Sequence, residues 1–456
     1  MEETLELTVE DFALRGYGTS TLPSGKEIEI AHTLPKDTAR IEWKKKRKGP
    51  QKGRLLEILT PSPDRTEPRC SHARLCGGCC WQQMEYGAQL KEKQERVRKA
   101  FKGRFPLSPI IACETPFRYR NKMEFSFSEN RGGARYLGLM IAQAEPYVFN
   151  VTECHLCPPW FSAVLQELRS WWEGSGLKAY SPRFDVGSLR YLTLRNGLRT
   201  GQKMAILNVS GDPAFALNRS QLDGYVAAVK KGLSEEENPS IFLRIHQTKK
   251  GKPTQFYEMH LSGPDHIVEE LRLQEQTLRF KISPSSFFQP NTLQAEKLYD
   301  AALSFVANPS IVYDLYCGTG TLGMALAQKA RQVISIDLSA EAILDAEENL
   351  KRNGISNLQL HQGDVGRVLT HLMGQSDFIR PDTAIVDPPR AGLDPLALQH
   401  LKNLLPRSIL YISCNPLTQA ENIEELLGAG YRIGGLQPVD QFPHTYHIEN
   451  IAFLVR

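Results

Sequence analysis

Apolar and polar positions alternate with a period of two near the start of the chain, in Leu5-Glu-Leu-Thr-Val, Glu27-Ile-Glu-Ile-Ala and Ala39-Arg-Ile-Glu-Trp, with Gly16 and Gly18 between runs. Such short half-buried strands punctuated by glycine and proline predict a small β-barrel over residues 1–60. Pro61 to Pro68 holds three prolines among charges and reads as a linker, while the polar run from Tyr86 to Lys102 suits a solvent-rimmed helix. Between about 118 and 262 the period of two returns in Lys122-Met-Glu-Phe-Ser-Phe, Tyr191-Leu-Thr-Leu-Arg, Met204-Ala-Ile-Leu-Asn-Val and Ile241-Phe-Leu-Arg-Ile-His. Asn196-Gly197 marks a hairpin or short connection, and a helix is predicted from Pro159 to Trp172.

From about residue 280 the pattern changes to strands alternating with helices. Ile311-Val-Tyr-Asp-Leu, Gln332-Val-Ile-Ser-Ile-Asp, Thr383-Ala-Ile-Val-Asp and Ser408-Ile-Leu-Tyr-Ile-Ser read as strands, with helices over 318–330 and 340–353. This predicts an α/β, doubly wound, mostly parallel sheet of Rossmann type that binds its ligand at the carboxyl ends of the strands. The expected division is a barrel over 1–60, a β-rich central domain over 61–270 and an α/β domain over 271–456.

A chain of 456 residues accommodates about three domains. Its net charge of +4 is too small to make the whole surface an adhesive for nucleic acid, so any electrostatic footprint is local. Lys44 to Lys48 and Lys249 to Lys252 are the dense basic runs, although such runs are more often solvated turns than binding patches. No apolar stretch approaches the roughly 18 residues of a membrane span, and Met1-Glu-Glu lacks a signal-peptide start. A soluble cytoplasmic protein is expected, with no membrane partner and acting as a monomer.

Gly318-Thr-Gly320-Thr-Leu-Gly323 fits G-x-G-x-x-G after a strand, with Asp337 ending the next strand. The loop alone does not separate NAD from S-adenosylmethionine, since both present an adenosine ribose. Asp387-Pro-Pro-Arg at the end of a later strand, and Cys414 at the end of the strand after that, favour the sulfonium donor, because hydride transfer has no need of that pair. A cysteine, a methyl donor and the late carboxylate of His447-Ile-Glu449 are the parts needed to alkylate C5 of a pyrimidine. Thiolate attack on C6 makes C5 enolate-like, C5 takes the methyl group, and a base removes the C5 proton.

Nine cysteines are unevenly spread: Cys70, Cys76, Cys79 and Cys80 crowd together, Cys154 and Cys157 pair, and the rest stand alone. In a cytosolic chain such clustering favours metal over disulfide, with zinc and iron–sulfur both open on spacing alone.

Leu315-Tyr-Cys-Gly-Thr-Gly, Ser286-Phe-Phe-Gln-Pro-Asn, Asp387-Pro-Pro-Arg-Ala-Gly, Ser413-Cys-Asn-Pro and Asp440-Gln-Phe-Pro-His-Thr-Tyr-His-Ile-Glu together resemble the motifs of the RNA uracil-C5 methyltransferase family over nearly the whole chain. The resemblance implies Cys414 as nucleophile and Glu449 as base. Gln289, Tyr316, Gly318, Gly320, Thr321, Asp337, Asp364 and Asp387 would line the S-adenosylmethionine side. Asp337 stands where a longer Glu is frequent and Thr321 where Asn occurs, which puts contact lengths in doubt. The cysteine spacing is similar to that of members binding a [4Fe-4S] cluster, which implies Cys70, Cys76, Cys79 and Cys154 as ligands, with Cys157 the alternative fourth. The first 60 residues resemble the RNA-binding TRAM barrel. Cluster and barrel together resemble members acting on 23S ribosomal RNA more than those acting on the transfer-RNA T loop. A uridine splayed into the cleft between central and catalytic domains is then expected, with Arg118, Arg120 and Lys122 candidates to hold its phosphates. An NAD-dependent iron–sulfur oxidoreductase and a non-catalytic RNA-binding protein are the rival readings.

Overall fold

A computed structural model describes residues 3–45, 49–144, 146–248, 254–274 and 276–456. The densest part of the first basic run and the Lys249–Lys252 run lie outside the described residues.

Six strands open the chain: β1 (Glu3–Thr8), β2 (Asp11–Phe12), β3 (Gly18–Thr21), β4 (Glu27–Ile30), β5 (Thr38–Trp43) and β6 (Gln51–Thr60). They form one sheet in the order β1-β5-β6-β4-β3-β2, curled around Val9, Leu22, Ile28, Ile30, Ala39 and Ile41. The expected closed barrel is instead a half-barrel, because β1 and β2 remain edges with no ladder between them among the described residues. The following proline-rich segment is no loose linker. The carboxylate of Asp37 accepts the Ser62 N–H at 2.8 Å and the Leu34 N–H at 2.6 Å, and pairs with Arg65 at 2.5 Å, so the half-barrel grips the chain as it leaves.

After the cysteine loop, α1 (Tyr86–Ala100) leads to a central sheet of β7 (Lys122–Glu129), β8 (Arg135–Met140), β9 (Val148–Asn150), β10 (Leu189–Asn196), β11 (Lys203–Ser210), β12 (Ser240–Gln247) and β13 (Gln255–Ser262). Their order is β13-β12-β11-β10-β7-β8-β9. The helices α2 (Pro159–Gly174) and α3 (Arg219–Lys231) cover one face, packing Phe161, Leu165 and Tyr225 onto Phe125, Leu192 and Leu207. Asn196-Gly197 opens a connection over 197–202 rather than a tight hairpin. The Glu269 carboxylate anchors it by accepting the Leu198 and Arg199 N–H groups at 2.6 and 2.9 Å.

A two-stranded ribbon, β14 (Ile267–Leu273) and β15 (Gln276–Ile282), precedes α4 (Thr292–Ser304). Leu271, Leu278 and Phe280 of this ribbon share a core with Leu298 and Ala302 of α4 and with Met324, so position 271 falls inside a strand that packs on the C-terminal half.

The C-terminal half alternates as its pattern predicts: β16 (Ile311–Leu315), α5 (Thr321–Ala327), β17 (Gln332–Asp337), α6 (Ala340–Asn353), β18 (Leu358–Gln362), α7 (Val365–Met373), β19 (Thr383–Val386), α8 (Pro395–Leu404), β20 (Ser408–Ser413), α9 (Pro416–Gly428), β21 (Arg432–Val439) and β22 (Glu449–Val455). The sheet order is β18-β17-β16-β19-β20-β22-β21; the first five strands are parallel and β22 runs antiparallel to both its neighbours. Strand order reverses between β16 and β19, which opens a crevice at their carboxyl ends. The helix expected from 318 is shorter and starts at Thr321, because Gly318 and Gly320 have φ of +54° and +83° and cannot be helical. Among the described residues, no helix is long and apolar enough to cross a membrane.

Candidate active site

At the switch point lies a cavity of about 1410 Å³. Its floor is the turn after β16. Tyr316 takes a left-handed φ of +65°, and its hydroxyl donates to Asp394 at 2.7 Å, fixing the entry to the glycine loop. The loop then closes on Asp337, whose carboxylate accepts the Gly318 N–H at 2.8 Å and the Ser339 N–H at 2.8 Å. Beneath it, Asp314 accepts the Gly323 N–H at 2.9 Å; burial pushes this carboxyl up to about 7.

Of the residues expected on the cofactor side, Gln289, Tyr316, Gly318, Thr321, Asp337, Asp364 and Asp387 line the cavity. Gly320 does not. It caps α5, where an added Cβ would come within 2.8 Å of Met324, so its part is to turn the chain. Asp364 caps α7 by accepting the Arg367 N–H at 3.1 Å. Gln289 is held by its backbone carbonyl, which accepts from Asn121 at 2.8 Å.

The opposite wall carries sulfur and charge. Strand β20 pairs with β22 up to Ser413 opposite Asn450, so the next step of the register sets Cys414 against Glu449. A buried exchange between Gln419 and Asn450, at 2.7 Å, locks α9 to β22 beside this pair. Cys414 and Glu449 both line the cavity, as do Asp387 and Arg390. Burial raises the Cys414 thiol, and Glu449 adds to the rise; the Arg390 guanidinium, hydrogen-bonded to the sulfur, opposes it. Burial, then Asp387, hold Glu449 well above the usual carboxylate range, while burial alone lifts Asp387 to about 7.

Arg390 is the residue that motif reading passed over. Its backbone carbonyl accepts from Asn415 at 3.0 Å and Thr418 at 3.2 Å, and its guanidinium donates to His447 Nδ1 at 2.7 Å. Burial, then Arg390 itself, push His447 down to about 3, so the ring is neutral and accepts. The sequence held the signal: an arginine directly after Asp-Pro-Pro, with a histidine two residues before the base.

The segment bearing Glu449 is pinned from the far side. Lys93 of α1 and Asp440 are fully buried and pair at 2.5 Å, and the Tyr86 hydroxyl donates to the same carboxylate at 2.8 Å. Gln89 accepts the His444 N–H at 2.9 Å, and Lys93 donates to the Phe442 carbonyl at 2.9 Å.

Of the three expected phosphate contacts, Arg120 alone lines the cavity. Lys122 pairs with Glu124 at 3.0 Å. Arg118 turns inward, donating to the carbonyls of Cys154 and Cys157 at 2.8 and 2.7 Å and to Glu153 at 2.7 Å; it shapes the cysteine loop instead.

Cys70, Cys76, Cys79 and Cys154 come into one neighbourhood. Burial raises Cys70, Cys76 and Cys79, and mutual repulsion adds to it, Cys76 reaching about 11. Cys154 is lowered, because the Cys157 thiol and the backbone N–H groups of Leu156 and Cys157 donate to it. Among the described residues, no three His, Cys, Asp or Glu side chains converge on a position for a single metal ion.

A family model described as tRNA (Uracil-5-)-methyltransferase matches residues 257–456. A protein of Protochlamydia amoebophila described as an uncharacterized RNA methyltransferase is 46% identical over 440 residues, spanning 94% of this chain and 99% of the relative. Another so described, from Caldanaerobacter subterraneus, is 31% identical over 99% of this chain and 98% of its own length. Among solved structures, the Pyrococcus abyssi tRNA (uracil-54, C5)-methyltransferase in complex with S-adenosyl-L-homocysteine superposes with a TM-score of 0.74 at 25% identity, covering 99% of each chain. Sequence and architecture agree along the whole length, and the chain belongs to the RNA (uracil-5-)-methyltransferase family.

Proposed function

We propose that this enzyme methylates C5 of a uridine in 23S ribosomal RNA, using S-adenosylmethionine, through a covalent bond between Cys414 and C6. The observation that carries the reading is the register of β20 against β22. It sets a thiol and a carboxylate side by side in a cavity whose other wall is a glycine loop closed on Asp337.

Gly318, Tyr316, Asp337 and Gln289 are assigned to the donor, with the Asp337 carboxylate at the ribose and the loop backbone close to the donor's chain. Arg390 favours the thiolate of Cys414 electrostatically. The thiolate adds to C6, and the C5–C6 electron pair moves so that C5 becomes nucleophilic and takes the methyl group from the sulfonium, which leaves as a neutral thioether. Glu449 then accepts the C5 proton, and the returning electrons expel the Cys414 thiolate. The donor's charge helps time this step. A sulfonium held in this cavity would favour the ionised forms of Asp387 and Glu449, and with its charge gone burial would again favour a protonated Glu449, which assists proton removal.

The four thiols Cys70, Cys76, Cys79 and Cys154 suit a [4Fe-4S] cluster in donor chemistry, and each would bind a different iron, so they need not converge on one point. When bound, the cluster would supply structure, since methyl transfer needs no external oxidant or reductant. Cys157, whose thiol donates to the Cys154 carbonyl at 3.6 Å, is assigned a supporting place rather than a ligand's. Iron and sulfide analysis of anaerobically purified protein, with absorbance lost in Cys76→Ser, tests this. The half-barrel is assigned to TRAM-like RNA binding.

Transfer RNA is the second reading, favoured by what the Pyrococcus structure's description says of that protein. Incubation with methyl-labelled donor and separate 23S and transfer-RNA transcripts decides between them. Label in the 23S transcript alone supports the proposal, and label in transfer RNA alone overturns the choice of substrate. RNA carrying 5-fluorouridine should form a stable adduct through Cys414; no adduct on an otherwise good substrate refutes the covalent route.

A further inference from the structure

Beside the reaction cavity lies a smaller one, about 170 Å³, between three parts of the chain distant in sequence. Arg15 and Tyr17 come from the β2–β3 loop, Gly77 and Gly78 from the cysteine loop, and Tyr446 and His447 from the segment before β22. Gly77, Gly78 and His447 also line the reaction cavity, so the two spaces share a wall.

This small space is rigidly built. Trp81 donates to the Gly16 carbonyl at 2.9 Å, and Arg96 donates to the carbonyls of Ala13 and Leu14 at 3.1 and 3.3 Å. Gly16 has φ of +75°, and a Cβ there would come within 2.8 Å of Tyr446, so the loop lies flat on that residue. Arg96 stands over both the Trp81 and Tyr446 rings, at 5.0 and 5.7 Å, and the Tyr446 and His447 rings lie 4.0 Å apart. On the glycine side, an added Cβ at Gly78 would meet only the Cys76 sulfur, at 3.4 Å, so the backbone is open to close approach by a ligand. Among the described residues no carboxylate lines the space, while one arginine and three aromatic or imidazole rings do.

Rings with a cation, room for one planar group and direct continuity with the reaction cavity describe a nucleobase site. A target uridine drawn out of its strand leaves its neighbour without a stacking partner, and this space adjoins the reaction cavity through a shared wall. We infer that it receives the base of a nucleotide adjacent to the target uridine, stacked against Tyr17 and Tyr446, with Arg15 at the phosphate. The inference rests on the RNA-methylation reading above and extends it. The half-barrel and the cysteine loop then act together, holding the strand next to the reacting base.

The probe is whichever transcript, 23S or transfer RNA, accepts the methyl group, prepared intact and with an abasic ribose at each position flanking the target. Removing one flanking base should weaken binding to the unaltered protein roughly 10- to 100-fold. Tyr17→Ala should weaken binding of intact RNA by a similar factor and show no further loss with the abasic RNA, whereas Tyr17→Phe should keep the discrimination. A flat abasic scan on the unaltered protein, or losses that multiply in Tyr17→Ala, overturns the subsite. Should Tyr17→Ala not fold, 4-thiouridine at the flanking position of RNA bound to unaltered protein decides by photo-crosslinking. Products on Tyr17 or Tyr446 uphold the assignment and products elsewhere overturn it. Failure of the underlying reading shows separately, as no methyl incorporation into either intact transcript, and removes both. Normal methylation with a flat scan removes the subsite alone.

Discussion

Two cysteine neighbourhoods in this molecule show how surroundings set what a thiol can do. Cys414 lies among Glu449, Asp387 and Arg390, and the arginine works against the burial and carboxylates that would keep it protonated. Cys70, Cys76 and Cys79 are raised by burial and then by the neighbouring thiols. In the proposed reaction the thiol beside a guanidinium is the one that attacks carbon, and in the proposed cluster the thiols that repel one another are the ones that share a positive charge from outside. Burial is common to both, so burial alone does not distinguish a nucleophile from a ligand; the charge set beside the sulfur does.

The comparison breaks most readily at Cys414. Cys414→Ser should lower methyl transfer by about 10⁴-fold or more and abolish the 5-fluorouridine adduct, as read by label incorporation and denaturing gel. Turnover at the parent rate would make the two neighbourhoods chemically equivalent. Glu449→Gln should slow turnover roughly 10²- to 10⁴-fold while a methylated protein–RNA adduct accumulates, seen by mass spectrometry of the trapped complex. A slow variant without adduct would move Glu449 from proton acceptor to some earlier step.

Arg390→Gln sharpens the contrast by removing the cation from Cys414. Because Arg390 lowers that thiol, its loss raises it further, so single-turnover rates should fall roughly 10-fold at neutral pH and recover as pH rises. A uniform fall at all pH values would show that Arg390 acts elsewhere. The smallest expected effect concerns the carboxylate below the loop. Asp314 is raised by burial from its ordinary 3.8 to about 7, so the stability it contributes is fully present below about 3.8 and is lost as pH climbs through 7. Asp314→Asn should therefore raise the melting temperature by roughly 2 to 4 °C at pH 8, with the gain vanishing near pH 4. An equal gain at both pH values would indicate altered packing instead.

The alternation of strands and helices after 280 was legible because each buried parallel strand is a short apolar run and most of the helices open on a side-chain cap, as α6 does on Ser339. The thiol and the glycine loop were legible as residue types at strand ends, whereas Glu449 was legible only through the motif that carries it, since no strand was expected there. Closure of the first sheet was not, because alternation fixes which face of a strand is buried but not whether the outer strands meet. The inward turn of Arg118 was hidden for a similar reason: its partners are backbone carbonyls of Cys154 and Cys157, and carbonyls are the same in every sequence. Nothing local in Arg15, Gly77 or Tyr446 indicates that they share a wall, since that proximity exists only after three distant segments pack.

The buried Lys93–Asp440 pair joins positions far apart in the order of synthesis. A ribosome must release almost the entire polypeptide before the clamp can shut and the carboxylate of β22 is held opposite its thiol. Until then the thiol that ends β20 has no carboxylate fixed across from it, so the reaction centre is among the last parts of the molecule to be completed.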